Sequence, residues 1–202
     1  INITDNCPSD MCINNNAHGL ALYASICQNN NIVPIVEPEV LMDGSHDINR
    51  CYDVTSKTLK VVFKTLNNYG VLKEGMILKP NMVLPGKKCL TSSDHNVVAE
   101  STYKCLLENV PKEVPGIAFL SGGQSMQDAT THLAIMNKKF SSVKPWNLTF
   151  SFGRALQESA LQIWGGKIEN INRSQDAFYQ RAKFNSMATT GSYTEDLEMA
   201  TI

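Results

Sequence analysis

IVPIVEPE, at residues 32–39, is the stretch that decides the fold. Its first five residues predict a buried β-strand, and two acids, Glu37 and Glu39, follow where that strand ends. A second apolar run, at residues 76–78, ends in Lys79. Ionisable groups that follow strands separated by helical segments are typical of a (β/α) barrel, whose chemistry lies at the carboxyl ends of the strands. Two carboxylates and a lysine at such a mouth favour amine-based covalent catalysis on a carbonyl group.

Strands and helices alternate along the rest of the chain. Strands are predicted at residues 32–36, 76–78, 116–120 and 147–152. Helices are predicted at residues 8–28, 48–66, 93–109, 155–164 and 174–188, with a further helix that begins at residue 125. Pro8 is expected in the first turn of the first helix, and Ser92 or Ser93 is expected to cap the third. Ser125 and Asp128 form a capping-box pattern that opens the fourth. The pattern predicts an α/β fold, a partial (β/α)8 TIM barrel of about four βα units. The polar segment after Gly191 is expected to be loose.

Length and composition exclude several classes of function. The chain has 202 residues, which is short for a complete barrel of about 250 residues. A net charge of -1 argues against a nucleic-acid partner, and no apolar run reaches the roughly 20 residues of a membrane span. The first residues include no methionine and no secretory signal, so we expect a piece of a longer sequence. Six cysteines without a C-x-x-C pair predict reduced thiols in the cytoplasm, and four scattered histidines predict no metal site.

The two acids of the opening stretch are candidates for proton transfer. Glu37 and Glu39 are separated by one residue, so in a strand their side chains share a face. If that face is the barrel mouth, their proximity and burial would raise the pKa of at least one of them. Such a carboxyl suits general acid and base catalysis near neutral pH. The alternative is that both acids belong to a solvated loop after the strand.

Lys79 is the candidate nucleophile. At the end of a buried strand its amine would be desolvated, which would lower its pKa and allow attack on a ketone. The resulting Schiff base withdraws electrons from the neighbouring carbon–carbon bond. The alternative is a lysine whose stem is buried while its ammonium reaches solvent.

Glycine-containing turns after the last two strands are candidate phosphate-binding loops. Ser121, Gly122 and Gly123 follow the third strand, and Gly153 and Arg154 follow the fourth. Glycines let backbone N–H groups approach an anion, and a guanidinium fits a phosphate. The alternative is an ordinary turn with a surface arginine. Lys87 and Lys88, in a further turn, are interpreted as solvated.

Taken in order, these motifs resemble the second half of a class I fructose-bisphosphate aldolase. The resemblance covers residues 1–194 and leaves residues 195–202 as a short divergent tail. It is carried by YASICQ at 23–28, VPIVEPE at 33–39, LKPNM at 78–82, FLSGGQS at 119–125, KPW at 144–146, SFGRALQ at 151–157 and WGGK at 164–167. The last four βα units of a TIM barrel are the expected fold. A transaldolase is a further alternative, but the spacing of the glutamates and the LKPNM string favour the aldolase family.

The resemblance implies a role for each candidate residue. Lys79 stands where the family has its Schiff-base lysine, Glu37 where it has its acid/base glutamate, and Glu39 where it has a second glutamate. The C1-phosphate positions correspond to Ser121, Gly122, Gly153 and Arg154. The family cleaves fructose 1,6-bisphosphate to dihydroxyacetone phosphate and glyceraldehyde 3-phosphate in glycolysis, without a metal or other cofactor, as a cytosolic homotetramer. It therefore implies these triose phosphates as ligands, a homo-oligomer, and neither nucleic acid nor membrane as partner.

Some positions depart from the family pattern. Leu22 stands where the family usually has arginine, Asn15 where it has glutamate, and Phe152 where it has tyrosine. The family's first half, with its aspartate base and several basic residues, lies outside the resemblance. The alternative function is therefore a catalytically silent aldolase-derived fragment that acts through protein contacts.

Overall fold

A computed structural model describes residues 1–199. Its helices and strands alternate along the chain as the sequence predicts. The elements are α1 (Asp10–Asn29), β1 (Ile35–Val36), α2 (Ile48–Asn68), β2 (Ile77–Leu78), α3 (His95–Asn109), β3 (Gly116–Phe119), α4 (Met126–Lys139), β4 (Asn147–Phe150), α5 (Arg154–Trp164), α6 (Ile171–Thr189) and α7 (Asp196–Met199), with short 3-10 helices at Lys73–Gly75 and Ile168–Asn170.

Within the described residues, the four strands form one parallel sheet in the order β1-β2-β3-β4. Ile77 of β2 lies between Ile35 of β1 and Gly116 of β3, and Gly116 in turn pairs with Asn147 of β4. Consecutive strands are therefore spatial neighbours, which is the usual outcome of successive βα units. This arrangement confirms the predicted α/β class.

The first strand is shorter and less buried than predicted. Only Ile35–Val36 pair with β2, and Ile32 and Val33 are exposed. Exposure alternates along this segment, since Pro34 and Val36 are buried while Val33 and Ile35 are not. The prediction of a fully buried strand was wrong because β1 is an edge strand and only one of its faces contributes to the core.

Apolar residues recur at a helical spacing along residues 48–66, and this pattern predicted the packing of α2 correctly. Leu59, Val62 and Leu66 lie on its buried face, and burial of each such side chain contributes about 1.5–3 kcal/mol. The helix begins after Asp47, whose carboxylate accepts a hydrogen bond from the Arg50 N–H at 2.8 Å. It ends before Gly70, whose φ of +67° is readily adopted by glycine.

Three other helix starts correct or confirm the predictions. Ser9, not Pro8, precedes α1, and its hydroxyl accepts from the Cys12 N–H. Asp94 caps α3 in place of Ser92 or Ser93, because its carboxylate accepts from the Asn96 N–H. The predicted cap of α4 is confirmed, since the hydroxyl of Ser125 accepts from the Asp128 N–H at 3.0 Å.

The face that α1 presents to the core also differs from the prediction. The apolar residues of the first predicted helix, Met11 and Ala17 among them, recur at intervals of three and four, so Met11 was expected on the buried face, but 73% of it is exposed. Ile13 is buried instead, with Ala17, Ala21 and Ala24. The difference arises because small alanines set the line of closest approach to α2, and Ile13 lies on that line.

The segment after Gly191 is ordered against the core, so the expectation of a loose tail was wrong as far as residue 199. Tyr193 is 5% exposed, and its hydroxyl donates to the Glu198 carboxylate. Arg181 of α6 donates through two nitrogens to the same carboxylate, at 2.8 and 2.6 Å. Residues 200–202 of the predicted tail lie outside the described residues. Across residues 1–199, no helix has the length and apolar character to cross a membrane.

Candidate active site

The sheet register brings Lys79 and Glu37 together. The Lys79 N–H donates to the Val36 carbonyl at 2.8 Å, which continues the β1–β2 pairing one residue past the strands. The Lys79 ammonium lies 3.0 Å from Glu37 Oε1. The lysine side chain is 22% exposed and the glutamate side chain 40%. The predicted nucleophile is thus mostly buried at the end of β2 and is paired with one of the two predicted acids.

Glu39 lies beside this pair without joining it directly. Within residues 1–199, Glu37 is the acid that forms an ion pair with Lys79. The Glu39 N–H donates to the Glu37 carbonyl at 3.1 Å, so the chain turns tightly between the two acids. Both acids line one cavity of about 260 Å³. The two acidic residues therefore border one cavity, and the carboxyl group of Glu37 is the one that contacts the amine.

Asn81 is a site-building residue that the sequence analysis did not single out. It is buried, and its side-chain oxygen accepts from the Val40 N–H at 3.0 Å. Its amide nitrogen donates to Thr55 Oγ1 at 3.1 Å and to the Met82 carbonyl at 3.0 Å. Asn81 thus connects the segment that carries the acids to the segment that carries the lysine. The signal in the sequence was an amide within an otherwise apolar run, since a buried amide must find partners.

The first glycine loop follows β3 and lies next to the lysine segment. The Leu120 N–H donates to the Pro80 carbonyl at 3.1 Å, and the Gln124 N–H closes the loop on the Ser121 carbonyl at 3.0 Å. Gly122 and Gly123 have φ values of +62° and +93°, a region that side chains rarely adopt. Successive N–H groups in such a turn form a concave, anion-attracting surface.

The second loop follows β4 and reaches the first. Gly153 precedes α5 without a side-chain cap, so the N–H groups at the very start of the helix, those of Arg154 and Ala155, can point to a ligand. Arg154 is the first residue of α5, and its Nη2 lies 3.4 Å from the point where a Cβ on Gly123 would stand. The predicted phosphate-binding residues of the two loops therefore converge. Backbone N–H groups, a helix N-terminus and a guanidinium together suit an oxyanion.

Lys87 also reaches this loop, whereas the sequence analysis interpreted it as part of a solvated turn. Its Nζ lies 2.5 Å from the same Cβ position on Gly123. It also forms an ion pair with Asp43, at 3.1 Å. A contact between turns this far apart in the sequence left no local signal.

A pair of histidines, the buried His132 and the partly exposed His95, lies next to the first glycine loop. His132 Nδ1 is 2.8 Å from Gln124 Oε1, and His132 Nε2 is 2.9 Å from His95 Nδ1. Since an amide oxygen only accepts, Nδ1 of His132 carries the proton and Nε2 accepts from His95. Burial, and then the neighbouring His95, lower the pKa of His132 to about 4. The residue that follows Gly123 is thus held by a neutral imidazole.

Within residues 1–199, no three His, Cys, Asp or Glu side chains are grouped so that they could hold a metal ion. The six cysteines are free thiols.

Comparison with known proteins identifies the family. The family model described as "Glycolytic: Fructose-bisphosphate aldolase class-I" matches residues 1–201. Cytosolic fructose-bisphosphate aldolase 5 of Arabidopsis thaliana is 56% identical, over 93% of this chain and 52% of the relative. Cytosolic aldolase 4 of the same plant is 50% identical, over 98% and 50%. Cytoplasmic isozyme 1 of Pisum sativum is 53% identical, over 96% and 54%.

A solved structure agrees with these relatives. The fructose-bisphosphate aldolase of Plasmodium falciparum, crystallised with TRAP and a small-molecule inhibitor, superimposes with a TM-score of 0.91 at 48% identity. The match covers 96% of this chain and 56% of that one. The chain spans about half the length of the curated relatives it matches. The predicted partial TIM barrel and the predicted family are both confirmed, and the chain belongs to the class-I fructose-bisphosphate aldolase family.

Proposed function

We propose that this chain supplies the Schiff-base half of a fructose-bisphosphate aldolase, acting on fructose 1,6-bisphosphate and on the triose phosphates derived from it in glycolysis. The observation that carries the proposal is the 3.0 Å pairing of the Lys79 ammonium with Glu37, beside a glycine loop and an arginine suited to a phosphate. A carbonyl next to a phosphorylated carbon could reach the amine while its phosphate occupies the loop.

Lys79 is the proposed nucleophile and Glu37 the proposed proton donor and acceptor. The neutral amine attacks the C2 ketone, the ketone oxygen takes up a proton and the nitrogen gives one up, which leaves a neutral carbinolamine. Glu37 then protonates the carbinolamine hydroxyl, which leaves as water, and an iminium forms on Lys79. Glu39, which shares the cavity with Glu37, is the proposed second carboxyl of this proton exchange.

Cleavage then follows from the iminium acting as an electron sink. A base removes the C4 hydroxyl proton, the C3–C4 bond breaks, and its electrons form an enamine as glyceraldehyde 3-phosphate leaves. Protonation of the enamine at C3 and hydrolysis return dihydroxyacetone phosphate and the free amine. Because the chain spans about half the length of its relatives, we infer that the base for the C4 hydroxyl comes from the remainder of the whole protein.

The phosphate of the ketone half would lie between the two glycine loops. Ser121, Gly122 and Gly153 are the proposed backbone and hydroxyl donors, and Arg154 is the proposed cation. The positive φ of Gly122 and the uncapped start of α5 support this assignment.

We further propose a cytoplasmic homo-oligomer. Relatives named cytosolic and cytoplasmic support the location. Exposed apolar side chains on α1 and just before β1, among them Met11, Ile26 and Val33, support assembly, because exposed apolar surface of this kind is usually covered. The same surface favours the second candidate function, a silent fragment that acts through protein contacts.

Trapping of the Schiff base tests the proposal. The chain is incubated with dihydroxyacetone phosphate, reduced with borohydride and digested, and the modified lysine is located by mass. We expect the adduct on Lys79, its loss in Lys79→Arg, and slower formation in Glu37→Gln. Lys64→Arg, on the exposed side of α2, is the matched control and should leave trapping unchanged.

The outcomes separate the two candidate functions. An adduct on Lys79 without triose release from fructose 1,6-bisphosphate agrees with a Schiff-base half that lacks its base. Absence of any adduct on Lys79 contradicts the proposal and favours the silent fragment.

A further inference from the structure

Lys87 is fixed by its backbone rather than by its side chain alone. The Lys87 N–H donates to the Met42 carbonyl at 2.7 Å, and the N–H groups on either side donate to the carbonyls of His46 and Gly44, at 2.8 and 3.0 Å. A Cβ on Gly86 would stand 2.1 Å from the Gly44 carbonyl oxygen, so these two turns are in close contact. Lys87 therefore projects from a rigid platform.

From this platform its ammonium reaches the same loop as Arg154. The Nζ of Lys87 and the Nη2 of Arg154 lie 2.5 and 3.4 Å from one point, the missing Cβ of Gly123. Two like charges so close together repel one another, by about 1 kcal/mol at 4 Å in water. A doubly charged anion would convert this repulsion into attraction.

Asp43 accounts for the position of Lys87 without neutralising the loop. Its carboxylate lies 3.1 Å from the ammonium and offers one negative charge against two positive ones. Asp43 and Lys87 are both largely exposed, so an entering anion can displace this pairing at little cost.

We propose that Lys87 is a specificity-determining residue that binds the phosphate of the ketone substrate together with Arg154 and the glycine loop. Lys87 thereby selects phosphorylated over unphosphorylated carbonyl compounds. The inference rests on the proposed function, since it concerns the phosphate of the same substrate.

The experiment compares dihydroxyacetone phosphate with dihydroxyacetone in Schiff-base trapping on Lys79. We expect Lys87→Met to raise the half-saturating concentration of the phosphorylated ligand about tenfold relative to the unphosphorylated one. A tenfold change is at the low end for the loss of a hydrogen bond to a charged group, because Lys87 is exposed. Lys87→Arg should retain most of the preference, which separates loss of charge from loss of folding. Lys88→Met, an exposed neighbour, is the matched control and should keep the wild-type ratio. An unchanged ratio in Lys87→Met would overturn the proposal.

A second measurement keeps this test independent of the Schiff base. Inorganic phosphate is titrated into the isotope-labelled chain, and the amide signals of Gly122 and Gly123 are followed. Saturable shifts that need about tenfold more phosphate in Lys87→Met support the proposal even if Lys79 forms no adduct. Equal affinity in both proteins, or no saturable shift in the wild type, contradicts it. Failure of trapping alone contradicts only the proposed Schiff-base function.

Discussion

The buried imidazole of His132 should make the stability of this chain depend on pH. Burial and the neighbouring His95 lower its pKa from 6.5 to about 4, although Asp128 and Asp94 oppose the shift. The unfolded chain therefore binds a proton at this position between pH 6.5 and 4 while the folded chain does not. The stability that depends on a neutral His132 is thus fully present above the unfolded-state pKa, and it is lost as the pH falls from 6.5 to about 4.

The two pKa values set the size of the effect. Each pKa unit corresponds to about 1.4 kcal/mol, so the unfolding free energy falls by about 3 kcal/mol in all once the pH is below both pKa values of His132. At about pH 5 roughly 2 kcal/mol of this is already lost, whereas near pH 7.5 the loss is negligible. Most carboxyl groups do not yet take up protons at about pH 5, so they add little to this comparison. Glu198 is one of them: burial favours its protonation, but its hydrogen bonds with Arg181 and Tyr193 keep its pKa below the ordinary value.

Urea unfolding, followed by the fluorescence of the buried Trp146, measures the effect. The wild type should lose about 2 kcal/mol of unfolding free energy between about pH 7.5 and pH 5 beyond the loss in His132→Asn. Any cavity left by the substitution lowers stability at both pH values and cancels in the difference. His18→Asn, at an exposed position, is the control and should keep the wild-type dependence on pH. The pKa of His46 is also lowered by burial, but His46 is present in all three proteins, so its contribution cancels in the comparison. Equal losses in the wild type and His132→Asn would refute the reasoning.

The remaining predictions concern the glycine loop and the ordered tail. Gly123→Ala should lower the unfolding free energy by about 1–2 kcal/mol, because the residue has a φ of +93°. Gly19→Ala, in open space on α1, should instead raise it by up to about 1 kcal/mol. Urea unfolding midpoints measure both changes, and a Gly123→Ala protein more stable than the wild type would contradict the first prediction. Arg181→Met should lower the unfolding free energy by about 3–5 kcal/mol, because it leaves the Glu198 carboxylate without its bidentate partner. Adding Glu198→Gln should restore part of this loss. A loss below about 1 kcal/mol, or no recovery in the double variant, would show that the pair contributes little to stability.

Local patterns predicted those parts of the fold that depend on neighbouring residues. The buried face of α2 follows from a helical period, and the start of α4 follows from the hydroxyl of Ser125 three residues before an available N–H. The order of the strands follows from the short connections between successive βα units. The position of Glu37 and Lys79 at the same end of the sheet follows from the parallel order of strands that each precede a helix.

Contacts between distant segments could not be predicted in this way. Tyr193 and Glu198 are ordered by Arg181, and no composition signal distinguishes such a tail from a solvated one. The exposure of Ile32 depends on what lies beyond the edge of the sheet, whereas an apolar run looks the same in a central strand. Lys87 looked like a solvated turn for the same reason, since its contact with Gly123 exists only after two connections are brought together.

The candidate site depends on backbone pairing that continues beyond the strands themselves. β1 and β2 each have two residues, yet Lys79, Leu120 and Ser151 each donate a backbone hydrogen bond to the preceding strand's segment, at 2.8, 3.1 and 2.8 Å. These three bonds set the relative positions of the acids, the amine and the two glycine loops without any contribution from the proposed catalytic side chains. A slip of one residue between β1 and β2 would turn the side chains of one strand to the other face, and Lys79 would then face away from Glu37. The geometry on which the proposed chemistry depends is therefore a property of sheet register, which explains how short strands can hold a site of this kind.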